Sequence, residues 1–378
     1  MLQPLIARTT ASKRRLAATA PSLAGRLGSI PTQRLTQRRV RPIATLLAIL
    51  AAMLLPASPV AADTLDDVKA RGELRCGVNG EAPGLSQKDD NGNWSGLDVD
   101  FCRAVAAAAL GNAEKVALIP LSTAERFTAL RDGKVDLLAR NTSWTEQRDV
   151  AEGVSFAGIL YFDGQGFMVP RSTSLLSTLE LNNASICAIT GTTSADNAQR
   201  YFKRNRMSME MTLYPDLSAA RDAYLDGKCS TLTSDRSQLY GLRATLAEPA
   251  SQRILPEVIS KEPLAPAVRK GETRWLDLVR WTLYTLIGAE EMGIDSNNVI
   301  TAKSRATSDD VRTLLDLDGD TAAALGIEPE WGYRVILQVG NYAELFERNL
   351  GLASGLDIKR GLNALWNQGG LLYAPPTR

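Results

Sequence analysis

Twice along this chain, short β-rich runs alternate with helical patterns in the order strand, helix, strand, helix, strand. That alternation restricts the fold to α/β layers around a largely parallel sheet. The first set opens with Glu73-Leu74-Arg75-Cys76-Gly77-Val78-Asn79. After a Gly- and Asp-rich turn through 89–92, Phe101, Val105, Ala108 and Leu110 fall on one helical face of 97–110. A second strand is expected over 115–121. Ser122 then stands as a helix N-cap with Glu125 at the capping-box position, and the set closes with a strand over 135–140. The second set runs through strands at 184–190, 209–214 and 229–233, with helices at 195–205 and 219–225 between them. Two extended stretches connect the sets. One is Tyr161 to Val169 with Gly164 and Gly166; the other is 254–268, which carries Pro256, Pro263 and Pro266. The two glycines alone would fit an ordinary β-bulge, but two extended connections between two lobes describe a hinge. The expected division is a leader over 1–62, a first lobe over 63–164 and 264–378, and a second lobe over 165–263. Trp275, Leu278, Val279, Leu283 and Leu286 recur at helical spacing and read as core. The apolar, aromatic segment after Trp331 is expected to pack on the first lobe as a helical extension.

Charge is distributed unevenly. Residues 1–62 hold nine basic side chains and no acidic one, which leaves 34 basic against 42 acidic residues after Ala62, a net charge of −8. Arg38-Arg39-Val40-Arg41 precedes an apolar run over 43–55, then Pro56 and a small-residue stretch ending in Ala61-Ala62. This is the order of a secretory signal peptide cleaved after Ala62. A membrane span would need about 20 apolar residues, and a lipoprotein would need Cys where Asp63 stands. Export makes Cys76, Cys102, Cys187 and Cys229 disulfide candidates. Of three possible pairings, sequence order favours Cys76 with Cys102 and Cys187 with Cys229.

The chain contains no histidine, which excludes Ser-His-Asp and Cys-His nucleophiles, a histidine general base and a His-ligated zinc site. Nor does it carry the surplus of Lys and Arg that a nucleic-acid partner demands. There is no phosphate loop, metal cluster or nucleophile elbow, so no cofactor is expected. What remains is a set of groups suited to holding charge. Gly191-Thr192-Thr193 lies between a strand and a helix, where free N–H groups and partial positive charge attract an anion, although such a turn is often a plain N-cap. The loop Asn141 to Asp149 occupies the matching place in the first set and brings Ser143 and Arg148, a residue suited to a carboxylate. Asp235, at the end of the last strand, is either another N-cap or the acceptor of an ammonium group. An Arg and a helix N-terminus on one side of a cleft and an Asp on the other suit a zwitterion.

From about Asp63 onward the sequence resembles the amino-acid-binding subunits of bacterial ABC importers (solute-binding protein family 3), in the branch that binds a broad range of L-amino acids. The likeness is carried by Gly92-Asn93-Trp94-Ser95-Gly96-Leu97-Asp98-Val99-Asp100-Phe101-Cys102, by Asp163-Gly164-Gln165-Gly166-Phe167-Met168-Val169-Pro170 and by Gly361-Leu362-Asn363-Ala364-Leu365-Trp366-Asn367-Gln368-Gly369-Gly370. It implies the type II periplasmic binding protein fold, α/β with two lobes joined by a two-strand hinge. The implied protein is a periplasmic monomer that takes up an L-amino acid and passes it to membrane permease subunits, with no catalysis and no nucleic acid. The family pattern Ser-x-x-x-x-Arg, whose Arg holds the ligand α-carboxylate, matches Ser143 to Arg148. Its Gly-Thr-Thr turn, which adds N–H and hydroxyl donors, matches Gly191 to Thr193, and its ammonium acceptor matches Asp235. The ligand-binding set is therefore Asn141, Ser143, Arg148, Thr192, Thr193 and Asp235. Gly96-x-Asp98-x-Asp100 is structural in the family. Narrow-specificity relatives place an aromatic in the first loop, whereas this chain has Gly80-Glu81-Ala82-Pro83-Gly84, which fits a roomier pocket. Trp144 and Glu81 are left as candidates for contact with the ligand side chain. The alternative on this scaffold is a secreted cyclohexadienyl (prephenate/arogenate) dehydratase-like enzyme with Glu81 as its acid; fold alone does not separate the two.

Overall fold

A computed structural model describes residues 63–377. The leader and its cleavage point lie outside the described residues. In chain order the elements begin with α1 (Thr64–Arg71), β1 (Leu74–Val78) and a small antiparallel meander of β2 (Glu81–Ala82), β3 (Ser86–Lys88) and β4 (Trp94–Ser95). There follow α2 (Leu97–Leu110), β5 (Val116–Pro120), α3 (Arg126–Arg131), β6 (Leu137–Leu138), α4 (Glu146–Ala151), β7 (Val154–Phe156) and β8 (Tyr161–Asp163). The middle of the chain forms β9 (Gln165–Pro170), β10 (Ala184–Ile189), α5 (Thr193–Arg204), β11 (Met209–Tyr214), α6 (Leu217–Leu225), β12 (Thr231–Asp235), α7 (Arg236–Thr245), β13 (Gln252–Ile254) and β14 (Glu262–Leu264). The last third holds β15 (Ala267–Arg269), α8 (Thr273–Glu291), α9 (Val299–Ser304), α10 (Asp309–Leu314), α11 (Asp320–Leu325), α12 (Trp331–Val339) and α13 (Tyr342–Asn349).

The strands make two five-stranded sheets, ordered β5-β1-β6-β15-β7 and β11-β10-β12-β9-β13. In each, the strand of the first βα unit lies between the next two and runs parallel to both. The chain order therefore reverses on either side of β1 and of β10, which opens a crevice at the carboxyl ends of those strands. One strand in each sheet runs against the rest, β15 in the first and β9 in the second. Both are strands by which the chain enters a sheet from the other one. Between the sheets β8 and β14 pair antiparallel, Asp163 opposite Glu262 and Tyr161 opposite Leu264, giving the two-strand connection expected of a hinge.

Local sequence explains where the elements start. Gly96 opens α2 at φ 127°, and a Cβ there would sit 2.1 Å from the Leu85 carbonyl oxygen, so only glycine allows this approach. The close turn supplies the acceptors that the helix lacks, Gly84 O for Leu97 N and Leu85 O for Asp98 N, at 3.0 and 2.9 Å. Asp100 holds Arg348 and Asn349 of α13 at 2.7 and 2.6 Å, which is a structural role for the Gly-x-Asp-x-Asp element. Ser122 and Glu125 exchange the capping-box bonds, but the α-helix begins only at Arg126, one turn later than the sequence suggests. The apolar stripe of α8 is core, as its spacing predicts: Trp275 is fully buried and its indole N–H donates to Asp136 O at 2.8 Å. Trp331, Ile336, Tyr342, Leu345 and Phe346 join the same core as Phe101 and Val105, so the C-terminal segment does pack on the first sheet's helical layer.

Cys76 of β1 bonds Cys102 of α2, and Cys187 of β10 bonds Cys229 just before β12. The bridges span 26 and 42 residues. Loops of that length contribute about 3–4 kcal/mol each in the chain-entropy model. Replacing Cys187 and Cys229 together by Ser is expected to lower the unfolding free energy by that amount. A urea titration with an unchanged midpoint would contradict it.

Candidate functional site

The loops that leave the carboxyl ends of β1, β5, β6, β10, β11 and β12 meet at one cavity of about 240 Å³. From the first sheet come Asn79 and Glu81 after β1, Leu121 to Thr123 after β5, and Arg140, Asn141 and Ser143 after β6. From the second come Thr192 to Ser194 after β10, Asp216 after β11 and Asp235 closing β12. Arg126 and Arg148, on α3 and α4, complete the wall. All six residues in the expected ligand-binding set line this one cavity, although they lie as far apart in sequence as 141 and 235.

Asn141 sits in the left-handed region at φ 39°, a conformation retained only where surroundings enforce it. Its N–H donates to buried Asp98 at 2.8 Å and its side-chain oxygen accepts from Asn79 at 3.0 Å. Asp98 thereby fixes the loop from behind; burial pushes its carboxyl up to about 7. Thr145 caps α4, and the Arg148 guanidinium folds back so that one Nη donates to Ser143 O at 2.9 Å. Burial holds Arg148 below the ordinary guanidinium range, with Glu262 and Asp235 opposing that shift. Thr192 donates its hydroxyl to Ile189 O at 2.7 Å instead of capping α5, which leaves the N–H groups of the first turn open toward the cavity.

Asp235 is 6% exposed, stands at the N-cap position of α7 and makes no capping bond. Burial, and then the neighbouring charges of Asp163 and Glu262, raise its carboxyl well above the ordinary range, against Arg148 and Arg126. A buried carboxyl without a capping bond, facing a cavity that guanidinium groups also line, is the kind of perturbed environment that marks candidate functional sites.

One part of the expected chemistry is different. The Ser143 and Thr193 hydroxyls both donate to Glu262, the Thr193 bond at 2.8 Å, and a hydroxyl has a single proton to give. In this conformation Ser143 and Thr193 can offer an anion only backbone N–H groups. Glu262 also accepts from Asn197 at 2.6 Å and Ser260 at 2.7 Å. It is 1% exposed on β14, so a carboxylate on the connecting strand clasps loops from both sheets. Sequence reasoning missed it because nothing in Lys261-Glu262-Pro263 marks the carboxylate as buried. Trp144 is a second correction: it stacks on Phe156 with centroids 5.4 Å apart, packs into the apolar cluster beneath the first sheet and does not line the cavity. Glu81 does reach the cavity, exposed at its mouth, where it accepts from Ser218 in the first turn of α6 at 3.2 Å.

Residues 74–293 match the model of the bacterial extracellular solute-binding proteins, family 3. The chain belongs to that family. It is 49% identical over 324 residues to the general L-amino acid-binding periplasmic protein AapJ of Rhizobium johnstonii, covering 85% of this chain and 95% of that one. It is 45% identical over 324 residues to the glutamate/glutamine/aspartate/asparagine-binding protein BztA of Rhodobacter capsulatus, with 86% and 96% covered. A solved structure described as an ABC transporter periplasmic binding protein from Brucella ovis with glutathione bound superposes with a TM-score of 0.82. It is 48% identical and covers 84% of this chain and all of that one. The fold is that of the type II periplasmic binding proteins. These family members are named as binding proteins rather than as enzymes.

Arg126 and Arg140 also line the cavity and lie outside the ligand-binding set expected from sequence. Both are nearly buried, at 4% and 5% exposed. A signal was available for Arg140, which stands just past the carboxyl end of β6; Arg126 lies further on, at the start of α3.

Proposed function

We propose that the chain is the periplasmic solute-binding subunit of an amino-acid ABC importer, binding L-amino acids broadly and delivering them to membrane permease subunits. The observation that carries the reading is the single cavity that sets Arg148 and the open N-terminus of α5 opposite the unbonded Asp235 carboxylate. These groups complement the α-carboxylate and α-ammonium of any amino acid, so affinity does not depend on one side chain. Arg148, with Asn141, Ser143, Thr192 and Thr193, takes the carboxylate end, and Asp235 takes the ammonium. The lobes are 63–164 with 264–378, and 165–263, and they close by bending at β8 and β14. The relatives support the ligand class, being general L-amino acid and glutamate-family binding proteins. Periplasmic residence through the leader, and the permease partner, rest on the same relatives and on the order of charge and apolar residues before Asp63. A monomer suffices, since one chain supplies every wall of the cavity.

The test is a thermal-shift panel of the twenty amino acids on residues 63–378, unfolded and refolded first to remove carried-over ligand. Ligand at 100 times its dissociation constant is expected to add about 2.7 kcal/mol to stability. A flat panel would overturn the proposal.

A further inference from the structure

Helix α7 carries a buried glycine, Gly241, in its interior. Glycine is among the poorest helix formers, so a neighbour that needs the empty space is the physical reason to find one there. That neighbour comes from the other sheet's lobe. A Cβ at Gly241 would stand 2.5 Å from the Pro83 carbonyl oxygen, 3.1 Å from Pro83 Cβ and 3.2 Å from the Pro83 carbonyl carbon. Pro83 lies in the turn between β2 and β3 and belongs to the lobe of 63–164 and 264–378, whereas α7 belongs to that of 165–263. The contact stands at the rim of the amino-acid cavity. Gln238, one turn before Gly241 on the same face of α7, lines the cavity with Asp235 at the helix start. Glu81, two residues before Pro83, lines it from the opposite side.

Both partners are held from behind. Leu239 and Leu242 root α7 in the apolar cluster of the second sheet, and Ser237 N donates to Asp163 at 3.2 Å. The Pro83 turn is closed by the Leu85 N bond to Ala82 O and tied to α2 by the Leu97 N bond to Gly84 O, each 3.0 Å. Leu350 and Leu356 lie against Gly84 on its far side. The atom nearest the missing Cβ is a backbone oxygen, so no rotamer change relieves an added methyl, and the soft coordinate left is separation of the lobes at β8 and β14. We propose that Gly241 is a positioning residue for lobe closure: its bare Cα lets α7 seat on Pro83, and the amino-acid cavity shuts only when that seat is made. A side chain at 241 lowers the population of the closed, binding-competent state, and every ligand loses affinity in the same proportion. This rests on the amino-acid-binding reading above.

The experiment is calorimetry on the refolded chain with glutamate, glutamine and alanine, comparing wild type, Gly241→Ala and Gly241→Val. Gly241→Ala is expected to lose on the order of 10- to 100-fold for all three ligands without changing their order, and Gly241→Val to lose more. The ligand-free Gly241→Ala protein should melt no lower than wild type, because alanine is the better helix former and the open lobes carry no clash. Small-angle scattering should show wild type contracting on saturation with glutamate and Gly241→Ala contracting less. Affinities within about twofold of wild type, or a loss confined to one ligand, would overturn the assignment. A lower ligand-free melting temperature would place the clash inside one lobe and overturn it too. If Gly241→Ala does not fold, amide exchange on wild type decides: saturating glutamate should slow exchange across 81–84 and 239–242, and no protection at either segment would overturn the assignment. Failure of every amino acid to bind wild type would instead overturn the underlying function, and this assignment with it.

Discussion

Arg148→Ala is expected to weaken every amino-acid ligand by a similar factor, on the order of 100- to 1,000-fold, and to leave the order of preference among them unchanged. The argument starts from what the side chain already does. Among the described residues, its guanidinium donates one hydrogen bond, to Ser143 O at 2.9 Å, which orients the group without neutralising it. Phe127 lies beneath, with the guanidinium carbon 6.0 Å from the ring centroid, so the remaining N–H groups face the cavity. A ligand carboxylate is common to all amino acids, so a variant that loses this contact loses it for all of them. Arg148→Lys keeps the charge but not the two-pronged geometry, and an intermediate loss is expected. Calorimetry in which neutral amino acids keep wild-type affinity for Arg148→Ala would remove Arg148 from the carboxylate site.

How far the sequence reaches depends on whether a feature is local. Strand and helix identity along both sets follow from periodicity, and 97–110 and 209–214 agree with the structure to the residue because each is bounded by turn-forming residues. Ser143, Thr193 and Asp235 follow predicted strands in the sequence and were assigned to ligand by resemblance; the structure places all three on one cavity at the carboxyl ends of β6, β10 and β12. What the sequence hides is the competition for those groups. Whether a Ser143 proton goes to a ligand or to Glu262 depends on a strand 119 residues away. Trp144 illustrates the other limit: it is two residues from Thr142, which is fully buried, yet its ring turns under the sheet to meet Phe156. Reading Ser122 only as a cap obscured Arg126, since the helix starts a turn further on and points the arginine inward.

Ligand affinity is expected to rise with pH through the mildly acidic range, and Asp235→Asn to weaken binding at neutral pH by on the order of 100-fold while flattening that dependence. The groups facing Asp235 are Asp163 and Glu262, which raise its carboxyl, and Arg148 and Arg126, which lower it; burial is the largest influence and raises it. In the free protein Asp235 therefore keeps its proton to higher pH than an ordinary carboxyl. An ammonium ligand favours the ionised form, so binding expels the proton, and affinity climbs with pH by up to about tenfold per unit until the free carboxyl has ionised. Stability of the free protein runs the other way. A carboxyl raised in the folded state stabilises it fully below the unfolded value, and that contribution is lost as pH rises through the folded value. Asp163, pushed up by burial to about 6, and Asp98, to about 7, act with Asp235 in this sense. Between pH 5 and 8 the ligand-free melting temperature should thus fall while the shift produced by saturating amino acid grows. Calorimetry in two buffers of different ionisation enthalpy would detect proton release on binding to wild type and its absence in Asp235→Asn. A variant that still released the proton, with affinity as pH-dependent as wild type, would place the ammonium acceptor elsewhere.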